Sequence, residues 1–405
     1  MIFALFALVL ALFQAPTLVA AIEIGPEGDW CETINSADAG DEVVLGPGNY
    51  AGPCTLTRSG APGAPLVIRA RDLPDAPTIV YDGRQNNVFN VRASHVVIRG
   101  LRFGPTKADV DAVRIYSGSH ITVEDCRFRD LGGIAVVASH ASVAHVVVRR
   151  NEILESRATA MYFGCHDGLS CVASDFVLER NYIRGVDAPE GEIGYGIQIK
   201  LNSTAVIRDN VIVNTKGPGI MVYGATIPSV ASQVERNFVM GSRTSSGIVV
   251  GGGPVLVRNN IVTTNADAGI GLEDYHRRGL LRGIVLVHNT VYGNAQGGIL
   301  VPPAGPLDVV IANNAVQPRA GTLAFPAQRP GVLSVGNVDC TAPRCFVDPD
   351  LQDFSPLGIQ SGSPVAEPWI PASDYFGRRR GVPPAVGAIE APGSPIRLGV
   401  KRTSQ

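Results

Sequence analysis

The sequence predicts an all-β chain, a single-stranded parallel β-helix of roughly ten to twelve coils behind an N-terminal cap. Three observations predict it. First, an apolar-alternating strand followed by Asn recurs, as in VVVRRNEI (146–153), FVLERNYI (176–183), AVIRDNVI (205–212) and VLVRNNIV (255–262). The equivalent residues are Asn151, Asn181, Asn210, Asn237, Asn260, Asn289 and Asn314, between 23 and 30 residues apart. Second, Gly-Ile recurs at 133, 196, 219, 247, 269 and 298, each time opening a short apolar strand. Third, the spacer between copies is too short for a helix in every coil, and alternation with period two demands strands. One coil cannot bury its own apolar face, so neighbours must stack. Stacked Asn amides would then form an internal ladder along one turn.

Composition narrows the class. The 405 residues are 45% hydrophobic and 17% charged, with 46 Gly and a formal net charge of −2. Such a chain is neither disordered nor a membrane bundle. It carries no basic excess to argue for a nucleic-acid partner.

Taken in order, residues 1–21 form an apolar run ending in small residues, with Val19 and Ala21 placed for cleavage before Ile22. This reads as a signal peptide of a secreted or periplasmic protein. The run carries no Lys or Arg, and a membrane anchor is the competing reading. No second stretch of about 18 apolar residues follows, so no stable membrane span is expected after cleavage.

Residues 22–62 read as a cap and opening coil. GDWCETINSA (28–37) suits a short amphipathic helix, with Asp29 at the N-cap and Glu32 three residues on. The cap shields sheet edges that the first coil would otherwise expose. Residues 63–390 form the β-helix, and 391–405 a polar tail expected to be poorly ordered.

In an exported chain the seven Cys residues can pair. The close pairs are Cys165 with Cys171 and Cys340 with Cys345. Cys31 and Cys54 could close the cap. Cys126 occupies the Asn column and is left as an internal free thiol. These spacings are not zinc patterns.

With Ile of each Gly-Ile strand inward, alternation assigns the outward residues. They are Arg114 and Tyr116; Ala135 and Val137; Tyr162, Gly164 and His166; Gln198, Lys200 and Asn202. Then come Met221 and Tyr223; Val249 and Gly251; Gly271, Glu273 and Tyr275; Leu300 and Pro302. Lys200 falls one coil, about 4.8 Å, from the Tyr162/His166 strand and one coil from Tyr223. Gly251-Gly252-Gly253 reads as a floor without side chains that could admit a sugar ring.

A Lys on a crowded face loses its proton more readily, because desolvation and nearby cations lower its pKa. Neutral Lys200 could remove the acidic proton beside a uronate carboxyl. Tyr223 could donate to the leaving oxygen, with His166 nearby. Arg277 or Arg208 could neutralise the carboxylate and stabilise an enolate-like intermediate. Tyr116, Tyr162, Gln198, Asn202, Glu273, Tyr275 and His276 complete the candidate binding face. Each also has a plain reading: an outward Lys is usually solvated, and a Tyr often only covers the sheet.

The carboxylates of Glu273 and Asp274 suit Ca²⁺, but no DxDxDG loop accompanies them, and the sequence assigns no metal site. Hydrolysis needs two carboxylates within reach. Asp167 and Glu273 are about four coils, or about 19 Å, apart, which is too far.

The repeats resemble those of secreted right-handed β-helix proteins of the pectate-lyase-like superfamily, over about residues 40–390. GDEVVLGPGNY (40–50) and SGAPGAPLVIRA (59–70) are similar to the opening coil of alginate lyases and chondroitinase B. DYFGRRRGVPPAVGAIE (374–390) resembles their Asp-x-x-Gly-x-x-Arg…Gly-Ala-x-Glu ending. The resemblance implies the right hand of the helix. It also implies a Lys base on an outward strand, matched by Lys200, and an assisting Arg one coil later. That coil offers Tyr223 instead.

The expected function is therefore β-elimination on an acidic, uronate-containing polysaccharide by a monomer. One alternative is a uronate C5-epimerase, which shares the first proton abstraction, although the Asp-Pro-His-type motif of mannuronan epimerases is absent. Another is a non-catalytic carbohydrate-binding solenoid.

Overall fold

A computed structural model describes residues 21–401 apart from 228, 304, 342–344, 359–360, 366–368 and 394. The signal-peptide expectation thus lies outside the described residues, save that Ala21 begins a strand, Ala21–Ile24, paired with Glu42–Leu45.

The alternating repeats wind into three parallel sheets of 14, 12 and 10 strands. The longest hydrogen-bonded path links 13 successive strands, giving about 13 turns. That exceeds the expected count because the strands Ala21–Ile24, Glu42–Leu45 and Leu66–Ala70 precede the Asn column that marks the repeats.

Val, Ile, Leu and Phe from every coil fill one continuous apolar core. The ladder runs along its edge. Each Asn Nδ2 donates to the next Asn Oδ1 at 2.9–3.0 Å, from Asn151 through Asn314 to Asn337. The same oxygen accepts the preceding Asn backbone N–H at 2.9–3.0 Å. Cys126 ends the ladder: its N–H donates to Asn151 Oδ1 at 3.0 Å, and its buried thiol faces the Glu124 carbonyl at 3.3 Å. Burial pushes that thiol up to about 12, so it is inert.

The residue before each ladder position sits in the left-handed region. Gly100 and Gly336 occupy it at the ends, and Asp125, Arg150, Arg180, Asp209, Arg236, Asn259, His288 and Asn313 between them. Each non-Gly residue there costs about 1–2 kcal/mol. The buried amide bonds that follow offset this cost.

One column of the first sheet alternates in charge across the strands: Arg99, Glu124, Arg149, Glu179, Arg208, Glu235 and Arg258. Arg208 pairs with Glu179 at 2.7 Å in this stripe. It therefore lies on a different sheet from Lys200 and is withdrawn from the candidate site.

At the N-terminus the helix Trp30–Ser36 forms with Asp29 accepting the Glu32 N–H at 2.9 Å. The disulfide Cys31–Cys54 ties it to the first coils. Cys165–Cys171 and Cys340–Cys345 also form. Three disulfides suit an oxidising compartment. Among the described residues no helix is long and apolar enough to cross a membrane.

The ending motif folds back on the solenoid. Asp374 pairs with Arg378, and Arg380 bonds Glu390 at 2.8 Å and Asn259 at 2.5 Å. Ile396 is buried, and Lys401 reaches the Arg236 carbonyl at 3.0 Å and the Tyr375 ring at 3.8 Å.

Candidate functional site

The site lies on the third sheet. Register fixes one outward column as Asn90, Arg114, Val137, Tyr162, Gln198, Met221, Val249, Gly271 and Leu300. Val136, not Ile134, pairs with Val113 and Met161, so the first Gly-Ile pair is two residues out of the column. Val137 keeps its outward place, and Ala135 does not belong to that column. The next outward column is Gly164, Lys200, Tyr223, Gly251 and Glu273, whose N–H groups each bond the strand end of the preceding coil.

Lys200 is only 3% exposed. Its Nζ lies 3.5 Å from His166 Nδ1, 4.2 Å from the Tyr223 ring centre and 5.6 Å from that of Tyr162. Among the described residues Lys200 forms no ion pair. Burial lowers its pKa below the ordinary value, and the nearby Arg278 lowers it further. Both act against the ammonium form, as desolvation and like charge must.

A cluster of tyrosines surrounds the amine. The Tyr223 hydroxyl is 3.2 Å from that of Tyr195 and takes a 3.4 Å hydrogen bond from Gln198 Nε2. Burial pushes Tyr162 up to about 12. Burial also raises Tyr195 well above the ordinary phenol, aided by its bond to Tyr223. Tyr275 is raised by burial and then by its hydrogen bond to Glu273. These phenols stay protonated and can donate.

The glycine triplet is not an open floor. The Tyr275 and Tyr223 rings lie 5.1 Å apart, and a Cβ on Gly251 would meet Tyr275 Cδ2 at 3.0 Å. Gly252 and Gly253 lie against Leu280 and Arg282. The triplet admits a tyrosine and a loop, because any side chain there would collide with them.

That loop carries two adjacent Arg residues, both exposed. Arg277 ends the short 3₁₀ turn Tyr275–Arg277 and is exposed, with positive φ at both His276 and Arg277. The cation acting on Lys200 is its neighbour Arg278. Among the described residues His276, Arg277, Arg278 and Arg282 form no ion pair, whereas Arg99, Arg149, Arg208 and Arg258 all do. Asp274 sits in the same loop and accepts the Gly279 N–H at 2.9 Å, so the three Arg residues there are only partly balanced.

Asn202 is engaged in holding loops together rather than free to meet a ligand. It donates to the Gly168 carbonyl at 2.8 Å and accepts from Thr226 N–H at 2.7 Å and Thr226 Oγ1 at 2.9 Å. Tyr116 lies three coils toward the N-terminus. Glu273 and Tyr275 stand beside Tyr223, and His276 is exposed. Among the described residues no three His, Cys, Asp or Glu side chains group as metal ligands would.

Sequence reasoning overlooked Tyr195 and Arg278. Tyr195 directly precedes the Gly196-Ile197 pair, so an aromatic residue upstream of the glycine was its only signal. For Arg278 the run of two Arg was a signal, but not which of them acts on Lys200.

The architecture defines a right-handed parallel β-helix. A family model described as "Right handed beta helix region" matches residues 167–324. No curated protein matches the chain in sequence. Solved structures share the fold at low identity. The pectate lyase Pel9A superposes with TM-score 0.54 at 14% identity, over 92% of this chain and 96% of that one. The PL6 family polysaccharide lyase Pedsa3628 from Pseudopedobacter saltans gives 0.54 at 16%, over 95% and 100%. The A-module of the mannuronan C-5 epimerase AlgE4 from Azotobacter vinelandii gives 0.52 at 15%, over 77% and 89%. The fold is thus shared with polysaccharide lyases and a uronate epimerase.

Proposed function

We propose that this chain is an exported enzyme that cleaves a uronate-containing polysaccharide by β-elimination. The observation that carries the proposal is Lys200, a buried amine with a lowered pKa and, among the described residues, no carboxylate partner, beside a cluster of tyrosines. The three Arg residues of the loop at 276–282, which outnumber the adjoining Glu273 and Asp274, support an anionic substrate.

In this reading the substrate carboxylate faces Arg278, which offsets the charge that develops when the neighbouring carbon is deprotonated. Neutral Lys200 takes the C5 proton. The released electron pair forms the C4–C5 double bond, and the C4–O bond breaks. The leaving oxygen receives the Tyr223 proton, and Tyr195 and Gln198 hold that hydroxyl in place. The His166 ring fixes the amine on its other side.

The same first step serves an epimerase, in which a proton returns to the opposite face of C5. The likeness to the mannuronan epimerase module keeps that second reading in view.

The test is a panel of uronate polymers screened for a new near-ultraviolet absorbance from the unsaturated product. Lys200→Ala should lower the rate about a hundredfold to ten-thousandfold, the usual worth of a positioned base. Polymer that binds but never gains absorbance would refute elimination. Exchange of the C5 proton with solvent would then identify the epimerase.

A further inference from the structure

A second polar cluster lies on the same sheet, in the coils Phe89–Arg92 and Val113–Ser117. The path Val113–Ser117, Val136–Ala138, Met161–Phe163, Ile197–Ile199 puts Tyr116 three coils from Lys200. At about 4.8 Å per coil that is about 14 Å.

Tyr116 is held from below and from the side. Asn87 Nδ2 donates to its hydroxyl at 3.3 Å, and the His140 ring meets it edge-on at 5.1 Å. Two guanidinium groups approach it. Arg114 is consumed by the buried Asp111, at 2.7 Å. Arg92 is exposed, lies 4.3 Å from the Tyr116 ring centre and, among the described residues, has no carboxylate partner. A guanidinium lying on a ring keeps its N–H edge free, and that edge matches a carboxylate. Between this cluster and Lys200 the outward residues are Val137, fully covered by its neighbours, and Tyr162. The Asp167 carboxylate acts on Tyr162 from the adjoining loop.

We propose that Arg92, Tyr116 and His140 form a remote subsite that reads a uronate carboxylate and its sugar ring. The chain would then take long uronate oligomers in preference to disaccharides. This rests on the acidic-polysaccharide reading. Nothing in the elimination chemistry requires the cluster, yet it shares the sheet, the outward face and the unpaired cation that the Lys200 centre uses.

Binding of oligogalacturonates and oligomannuronates of two and six units, measured by calorimetry on the oxidised protein, tests it. The wild type should bind one of the hexamers at least tenfold more tightly than its dimer. Arg92→Ala should weaken the hexamer about tenfold or more, the effect of losing one charge-assisted pair, and leave the dimer unchanged. Tyr116→Leu should act in the same direction. If Arg92→Ala binds the hexamer as the wild type does, the subsite is overturned while the Lys200 reading stands. If the wild type binds no uronate of either length, the acidic-polysaccharide reading falls and takes the subsite with it. A neutral cellohexaose bound as tightly as the uronate hexamer would overturn the role of Arg92.

Discussion

Replacing Asn210 by Ala isolates what the internal ladder contributes. Asn210 is fully buried. Its Nδ2 donates to the Leu178 carbonyl at 2.8 Å and to Asn237 Oδ1 at 2.9 Å. Its Oδ1 accepts the Asn181 N–H and Nδ2, both at 3.0 Å. The substitution removes four bonds. Asn237 Oδ1 keeps the backbone N–H of residue 210, and Asn181 Nδ2 keeps the Val148 carbonyl. The Asn181 N–H loses its acceptor outright. At about 1 kcal/mol net per bond, the loss is about 3–5 kcal/mol. Asn337→Ala, at the half-exposed end of the ladder, should cost only about 1 kcal/mol, because water can replace the lost partner. Urea unfolding of the oxidised protein measures both. Amide exchange over residues 176–186 should show the Asn181 N–H losing protection first. Equal, small costs at both positions would refute the idea that the ladder stabilises through buried bonds.

Four further outcomes follow from the site. The base form of Lys200 is required, so kcat/KM should rise with pH through the lowered Lys200 pKa, with its ascending limb below 10.5. By the same shift the folded chain binds fewer protons than the unfolded one between those two values, so Lys200 makes stability rise with pH across that window. Arg278→Ala removes a cause of the lowering and a carboxylate partner. The limb should move to higher pH and kcat/KM should fall about tenfold to a hundredfold; an unmoved limb would exclude Arg278 from the site. Gly251→Val drives a side chain into Tyr275 and Met221, so uronate turnover should fall by at least tenfold while the far-ultraviolet circular dichroism is unchanged, unless Tyr275 has no part in the site.

The sequence by itself determined whatever repeats once per coil. The Asn column, the Gly-Ile strands and the helix behind Asp29 are local or periodic, and stacking turns a period in sequence into a column in space. Lys200 and Tyr223 therefore met as neighbours, 4.2 Å from amine to ring centre. Tertiary structure alone decided what lies off the period. A two-residue offset moved Val136 into the column in place of Ile134; with a side-chain period of two it kept Val137 on the outward face and left the later coils in register. The loop through the left-handed residues His276 and Arg277 brought the charge of Arg278, rather than that of Arg277, to bear on Lys200. Arg208 followed its own strand into the Arg–Glu stripe on another sheet. Tyr275 filled the space that the glycines seemed to leave open, since an unoccupied apolar hollow beside a packed sheet forfeits contact energy.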